Sequence, residues 1–188
     1  MRIEEEIKLD YSDVLFRPKR STLKSRKDVD LNRKYNFKYS KLSWKGTPII
    51  ASNMDGVGEI GIAKKLTSYK VMTALTKQHS INQISEIYKN SDFHTTVALS
   101  CGTSDDSYKR LNKILQKFPK FEFICIDVAN GYSENFSHFV SSVRKKYPKK
   151  TIIAGNVVTA DMTQELILSG ADIVKVGIGP GSVCTTRI

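Results

Sequence analysis

Six short apolar segments, spaced at regular intervals, constrain the fold of this 188-residue chain more than any other feature of its sequence. They start about 22 to 30 residues apart and are rich in β-branched side chains. Short runs without polar alternation are typical of buried parallel strands. The six segments are residues 49–51, 71–75, 95–99, 123–128, 151–154 and 173–176. Their spacing predicts repeated βα units, in which a helix follows each strand.

Amphipathic segments between these runs predict the helices. Apolar residues recur at helical spacing in two of them, at Tyr108, Leu111, Ile114, Leu115 and Phe118, and again at Phe136, Phe139, Val140 and Val143. Candidate helix starts follow from residue chemistry: Ser133 and Asp161 are suitable N-caps, and Asp105-Asp106 suit a first helical turn.

Right-handed crossovers between such units produce either a flat doubly wound sheet or a (β/α)₈ barrel. Periodicity does not distinguish the two, and length favours the flat sheet, because a barrel needs eight strands and ~250 residues. Residues 1–45 differ from the rest, since they are highly charged and have little periodicity. They predict an N-terminal arm that packs on the domain formed by residues 46–188, or on a neighbouring subunit.

The composition excludes several classes of protein. With 40% hydrophobic and 26% charged residues, the chain is typical of a soluble globular domain. Its apolar runs are far shorter than the ~20 residues that span a bilayer, and the acidic start lacks the apolar region of a signal peptide. Three widely separated cysteines indicate a reducing compartment rather than a disulfide framework. We therefore expect a cytoplasmic protein without a membrane partner.

The positive charge of the chain favours anionic partners. Thirty Lys and Arg residues against 19 Asp and Glu give a net charge of +11, which suits phosphorylated metabolites, dinucleotides or nucleic acid. A lysine-rich solvated surface explains most of the excess. Zinc-ligand spacing, RNA-binding aromatic motifs and heptads are all missing from the sequence. We expect no nucleic-acid partner.

Polar residues and glycines follow each predicted strand. In both architectures, functional residues collect at the carboxyl ends of the strands. These segments are residues 52–56, Lys77, and residues 100–102, 127–131, 155–156 and 177–187. Turn chemistry alone does not account for six consecutive strand ends of this kind, so we predict an active site built across them.

The last of these segments carries the strongest candidate nucleophile. Alternate glycines at 177, 179 and 181 allow backbone groups to approach a phosphate or a cation. Cys184 follows them, beside two threonines and Arg187, and positive charge with backbone donors lowers a thiol pKa. A buried, inert cysteine in a glycine-rich turn is the alternative. Cys125, inside an apolar strand, is predicted to be inert, and Cys101 is intermediate between the two.

Two other candidate residues, Asp127 and Lys77, each have a functional and a structural interpretation. Asp127 could bind a ribose hydroxyl or cap the following turn. Lys77 could bind a phosphate or be one more exposed lysine. The histidines share no spacing, so a histidine metal site is not expected.

The motifs resemble those of the inosine monophosphate dehydrogenase and GMP reductase superfamily. Residues 179–187, Gly-Pro-Gly-Ser-Val-Cys-Thr-Thr-Arg, resemble its active-site cysteine loop, which is a highly specific motif. Residues 9–15, 17–21, 126–134 and 154–159 are closer to the reductase branch. Only about twenty residues separate the second and third predicted strands, where the dehydrogenases usually carry an inserted regulatory domain. The resemblance runs along essentially the whole chain.

This resemblance implies a (β/α)₈ barrel, of which the chain holds about the first six βα units and the N-terminal arm. It also implies the NADPH-dependent reductive deamination of GMP to IMP and ammonia. Cys184 would attack C2 of the purine and form a covalent thioimidate. Thr186 resembles the proton-relay threonine of the family, and Ser182 matches the serine near the substrate phosphate.

The remaining site residues are also implied by the resemblance. Carbonyl groups of Gly179, Gly181 and Cys184, with Arg187 in the same site, would bind a monovalent cation, K⁺. Positions that line the NADPH site match Lys77, Asp127, Val128, Ala129, Ile178 and Gly179. Ser25 and Arg26 would reach NADPH bound to a neighbouring subunit, and full-length relatives are expected to be tetramers.

The family barrel continues through two more strands after the cysteine loop, whereas this chain stops at Ile188. We therefore expect a truncated chain, whose activity alone is open. Three other hypotheses remain: an inactive paralogue that acts as a binding or regulatory subunit, an enzyme similar to inosine monophosphate dehydrogenase, and a basic nucleic-acid-binding module.

Overall fold

The computed structural model describes residues 13–179 together with Ile7 and Leu9. Six parallel strands, each hydrogen-bonded to the next in chain order, form the main sheet, and helices follow the strands. A separate antiparallel hairpin precedes them. The strands are β1 Arg33–Asn36, β2 Ser43–Gly46, β3 Ile50–Ala51, β4 Met72–Leu75, β5 Val97–Cys101, β6 Phe123–Asp127, β7 Thr151–Val157 and β8 Ile173–Val176. The helices are α1 Ile60–Thr67, α2 Ile81–Tyr88, α3 Asp92–Thr96, α4 Asp105–Lys117, α5 Glu134–Lys146 and α6 Ala160–Leu168.

The six predicted strands are confirmed, with shifts of one to three residues at several of their ends. The third begins at Val97 rather than residue 95, because Thr95 and Thr96 end α3 and their hydroxyls donate to the Asp92 carbonyl. The fifth continues to Val157. Both predicted helices are present as α4 and α5.

The predicted helix starts have mixed outcomes. Ser133 is the N-cap residue of α5, as predicted, although its side chain makes no capping hydrogen bond. Asp105 and Asp106 lie in the first turn of α4, as predicted. The prediction for Asp161 is wrong, because the side chain of Thr159 caps α6 and Asp161 lies in the first turn. Asp161 instead places a negative charge near the helix N-terminus, which is also favourable.

The main sheet is strongly curled. β3 and β8 lie at opposite ends of the strand order, which would separate them by roughly 24 Å in a flat sheet at about 4.8 Å per strand. Yet Lys175 Nζ in β8 lies 3.1 Å from Asn53 Oδ1, just after β3. The flat sheet that the length favoured is therefore wrong, and the strands form a curled half-barrel.

Alternating side chains divide the core into two layers. Phe123 and Cys125 of β6 face the inside of the curl, where they pack with Met72 and Ile153. Ile124, between them, belongs to the larger cluster under the helices. Because side chains along a strand alternate between faces, the next inward position of β6 is Asp127, at the carboxyl end of the strand.

The β1–β2 hairpin closes the half-barrel at the amino ends of the strands, which we call the bottom. Trp44 is buried in the inner cluster, and the Phe37 ring meets Phe123 edge-on, with centroids 5.7 Å apart. Backbone N–H groups of Tyr39 and Ser40 donate to the Asp172 carboxylate. The strand β2 lies across the boundary between residues 45 and 46 that the sequence suggested for the arm.

Within the described part of the chain, none of the helices is both long and apolar enough to cross a membrane.

Candidate active site

A polar cleft of about 150 Å³ opens at the carboxyl ends of the strands, which we call the top. Segments that follow β3 and β4 meet the last residues of β5 and β6 there, because the carboxyl ends of parallel strands lie at one edge of the sheet. The side chains around the cleft are mostly polar or charged: Asn53, Asp55, Thr76, Lys77, Gln78, Ser100, Cys101 and Asp127. Two residues predicted for the cofactor site, Lys77 and Asp127, therefore lie on the same cleft.

Asp127 is paired with a lysine that the sequence analysis did not single out. The Lys175 ammonium contacts the Asp127 carboxylate and also donates to Asn53 Oδ1 at 3.1 Å. Both side chains of the ion pair are about one-third exposed, so each retains access to a ligand. The sequence signal for Lys175 is its position as the one charged residue inside the apolar run of 173–176. A charged residue at an inward position of a buried strand requires a partner.

The absence of a side chain at Gly155 makes room for this ion pair. A Cβ atom built on Gly155 would lie 2.6 Å from the Lys175 Cβ and 2.6 Å from its carbonyl oxygen. Both distances are far below van der Waals contact. Glycine at this position therefore allows Lys175 to cross the top of the half-barrel toward Asp127 and Asn53.

Val128 and Ala129 follow β6 in a loop that hydrogen bonds hold against β7. The Val128 N–H donates to the Gly155 carbonyl, and the Val128 carbonyl accepts from the Asn156 N–H, at 2.9 and 3.0 Å. Val128 is half-buried and Ala129 is exposed. The Asn156 side chain in turn donates to the Gly177 carbonyl at 2.8 Å, which ties the ends of β7 and β8 together. The backbone around Ala129 is therefore held in place beside the cleft.

Ile178 and Gly179 begin the predicted cysteine loop. Gly177 and Gly179 have φ values of +136° and +64°, and the Gly177 N–H donates to the Val157 carbonyl. Ile178 is half-buried, and Gly179 is buried. The predicted residues that follow them, Gly181, Ser182, Cys184, Thr186 and Arg187, lie outside the described residues.

Ser25 and Arg26 do not line the cleft. They lie in an exposed turn, where the Ser25 side chain caps a short 3₁₀ helix of Arg26–Asp28. Their role toward a neighbouring subunit stays a prediction.

The two described cysteines are buried and unsuited to nucleophilic chemistry. Burial raises the pKa of the Cys101 thiol to about 12 and that of Cys125 to about 11. A thiol with such a pKa is protonated near neutral pH and is a poor nucleophile. Cys125 is therefore inert, as predicted, and Cys101 joins it although it borders the cleft. Across the described residues, no three His, Cys, Asp or Glu side chains converge as a metal site.

Comparisons with known proteins identify relatives along the whole chain. The family model described as "IMP dehydrogenase / GMP reductase domain" matches residues 8–188. Proteins named GMP reductase from Shigella boydii serotype 4 (strain Sb227) and from Escherichia coli O1:K1 / APEC are each 56% identical to it over 190 aligned residues. The match covers 100% of this chain but 55% of each relative, so the chain spans about half of their length.

A solved structure resembles the fold. The crystal structure of inosine 5′-monophosphate dehydrogenase from Legionella pneumophila superposes with a TM-score of 0.74 at 30% sequence identity. The match covers 95% of this chain and 53% of that protein.

Proposed function

Because this chain belongs to the IMP dehydrogenase / GMP reductase domain family, we propose that it takes part in the NADPH-dependent reductive deamination of GMP to IMP and ammonia. Relatives named GMP reductase are 56% identical to it, whereas the dehydrogenase of similar structure is 30% identical. The difference favours the reductase reaction over the oxidation of IMP.

One observation carries the proposal: Lys77 and Asp127 line the same polar cleft at the top of the half-barrel. The cleft combines a lysine ammonium, which suits a phosphate, with a carboxylate, which accepts hydrogen bonds from ribose hydroxyls. The Thr76 hydroxyl at its edge is buried and has no hydrogen-bond partner among the described residues. Buried hydroxyls are normally paired, so a polar ligand group fits here. A cleft of about 150 Å³ would hold one part of a dinucleotide and leave the rest on the surface.

NADPH, when bound, would supply the hydride that reduces C2 of the purine. Lys77 would neutralise a phosphate, and Asp127 would accept from a hydroxyl of the cofactor while Lys175 holds it in place. Backbone groups of Val128, Ala129, Ile178 and Gly179 would line the remainder of the site. Ser25 and Arg26 would contact cofactor bound to a neighbouring subunit, in a tetramer located in the cytoplasm.

Cys184 would act as the nucleophile. Its thiolate would form a bond to C2 of GMP, and the bond from C2 to the exocyclic nitrogen would break, with Thr186 relaying the proton that leaves with ammonia. The sulfur–carbon bond would break after reduction, which restores the thiolate. In sum, GMP, NADPH and one proton become IMP, NADP⁺ and ammonia. Ser182 would bind the substrate phosphate.

A monovalent cation would order this loop. Backbone carbonyls are suitable ligands for K⁺. Those of Gly179, Gly181 and Cys184, in a site that includes Arg187, would bind it and fix the loop that presents the thiol.

The test follows NADPH oxidation by the nicotinamide absorbance, with GMP present, for the chain and its Cys184→Ala variant. Cys125→Ala is the matched control, because Cys125 is buried and its thiol has a raised pKa. We expect GMP-dependent oxidation that Cys184→Ala abolishes and Cys125→Ala retains. A folded chain that oxidises no NADPH would overturn the claim that this polypeptide performs the reaction. Reduction of NAD⁺ with IMP would instead identify dehydrogenase activity.

A further inference from the structure

Lys77 lies on a short loop, residues 76–80, that connects β4 to α2 at the top of the half-barrel. The Lys77 side chain is exposed, and a lysine side chain that is free to rotate loses conformational entropy when it binds a ligand. If the backbone that carries this side chain is already fixed, binding causes no further loss of backbone entropy. The contacts of the same loop show how the backbone is fixed.

His79 anchors the loop from below. It is 6% exposed, and its Nε2 lies 3.0 Å from the Gly58 carbonyl oxygen and 3.5 Å from a carboxylate oxygen of Glu59. The Gly58 carbonyl also accepts from the Thr76 N–H at 3.0 Å. Thr76 and His79, the residues on either side of Lys77 in this loop, therefore both contact the Gly58 carbonyl. This shared contact ties the loop to the segment after β3.

Arg110 holds the loop from the other side. It lies in α4, the helix that follows β5, and its guanidinium donates to the backbone carbonyl of His79. Arg110 is half-buried, and this burial lowers its pKa because the charged form loses water. An apolar side chain could fill the same space without that desolvation cost. The cost is offset by a charge-assisted hydrogen bond, which is stronger than a neutral one.

We propose that Arg110 and His79 form a clamp that positions Lys77 to bind a phosphate group of the cofactor. This inference rests on the proposed function of the cleft and adds two positioning residues to it. Arg110 contacts the backbone of the loop and His79 ties the loop to the segment after β3, and of these three residues Lys77 would be the one that contacts the ligand. The clamp links the segments that follow β3, β4 and β5 into one rigid wall of the site.

A double-mutant cycle tests the clamp. NADPH is titrated into the chain and into its Arg110→Met, Lys77→Met and doubly substituted variants, with Arg110→Lys as the conservative variant. Lys113→Met, an exposed lysine of the same helix, is the control for charge. We expect Arg110→Met to weaken NADPH binding by about fivefold in the parent chain and by less than about twofold in the Lys77→Met background, because coupled residues are not additive. Arg110→Lys should restore most of the affinity, and Lys113→Met should leave it unchanged.

Equal losses in the two backgrounds would overturn the proposal, because they would show that Arg110 acts independently of Lys77. An unchanged affinity in Arg110→Met would overturn it as well.

Hydrogen exchange separates the clamp from the proposed function. In Arg110→Met we expect faster exchange of the Thr76 amide, which donates to the Gly58 carbonyl, and of the Ser80 amide, which donates to Gln83 Oε1, while the amides of β7 keep their rates. If the parent chain binds no NADPH, the cofactor proposal fails. The exchange experiment then still tests whether Arg110 holds the loop in place. Unchanged exchange in the loop would then contradict the clamp.

Discussion

The two ends of the half-barrel each contain an ion pair. The two pairs differ in their burial and in how much of the hydrogen-bonding capacity of the carboxylate is used. At the bottom, Arg144 Nη2 lies 2.6 Å from Asp172 Oδ2, and the two side chains are 13% and 0% exposed. The Asp172 carboxylate also accepts three backbone N–H groups, from Tyr39, Ser40 and Ile152. At the top, Lys175 and Asp127 are about one-third exposed and border an open polar cleft.

This difference indicates that the bottom pair stabilises the fold and that the top pair is suited to bind a ligand. A buried carboxylate whose hydrogen-bonding capacity is filled stabilises the fold, since breaking its pair leaves an uncompensated buried charge. A carboxylate that keeps part of its capacity can accept a ligand. The bottom pair joins the β1–β2 hairpin to α5 and to the start of β8, whereas the top pair faces the cleft. In barrels of this type, the amino ends of the strands provide stability and the carboxyl ends provide chemistry.

The largest expected effect is at the bottom. Asp172→Asn removes the charge that balances Arg144, and we expect it to lower the free energy of unfolding by about 3 to 5 kcal/mol. Urea unfolding measures the loss. Asp105→Asn, at an exposed position in the first turn of α4, is the control and should change stability by less than about 1 kcal/mol. A loss of that small size in Asp172→Asn would show that the bottom network is not a stabilising element.

A smaller loss is expected for Gly170→Ala, also at the bottom. Gly170 has a φ of +106°, and a Cβ atom there would lie 2.7 Å from the Arg144 Cγ. Backbone strain and displacement of Arg144 should together cost about 1 to 3 kcal/mol in urea unfolding. Gly61→Ala provides a matched comparison, because Gly61 lies in α1 with no atom near its added Cβ. That substitution should stabilise the chain by about 0.5 to 1 kcal/mol, and equal effects of the two would contradict the account.

At the top, Lys175→Met should affect binding more than folding. The variant leaves the Asp127 carboxylate without its cation and without the link to Asn53. The pair is partly exposed, so we expect the free energy of unfolding to fall by less than about 1 kcal/mol. NADPH affinity should fall about tenfold, in line with the loss of one charged hydrogen bond. A large loss of stability with unchanged affinity would assign this pair to the structural end instead.

The smallest effect concerns a carboxyl group just before β6, at the bottom. Partial burial raises the pKa of Glu122 above its ordinary value of 4.5, an effect that Lys150 and His94 oppose. A raised pKa means that the folded state disfavours the carboxylate, so stability falls as the pH rises above about 4.5. Near pH 7, Glu122→Gln should therefore be more stable than the parent by less than about 1 kcal/mol. Below about pH 4.5, where the carboxyl group is protonated in the folded and the unfolded state, the two should be equally stable. Urea unfolding across this pH range measures the difference, and a less stable variant at pH 7 would contradict the assignment.

The strands could be predicted from the regular spacing of short apolar runs, and the two long helices from apolar residues at helical spacing. The β1–β2 hairpin could not, since its four-residue strands are mostly polar and exposed and depend on the packing of Trp44 and Phe37 under the barrel. The choice between a flat and a curled sheet depends on strand tilt and stagger. Periodicity does not encode either of them.

The candidate site was predictable in part for similar reasons. Lys77 follows β4 and Asp127 ends β6, and both match positions that line the NADPH site of the resembling family, so the sequence indicates both. Lys175 lies inside a strand, and its role depends on a contact with residues 48 and 122 positions away. The contact between Arg110 and His79 has no local signal either, because any surface arginine on a helix has the same sequence pattern.

The most direct test of the account measures NADPH affinity and the free energy of unfolding side by side for Asp127→Asn and Asp172→Asn. We predict that Asp127→Asn loses about tenfold or more in affinity with little change in stability, and that Asp172→Asn loses stability while its folded fraction binds NADPH like the parent. If both substitutions reduce stability and affinity to the same extent, the division between a binding end and a stabilising end is wrong.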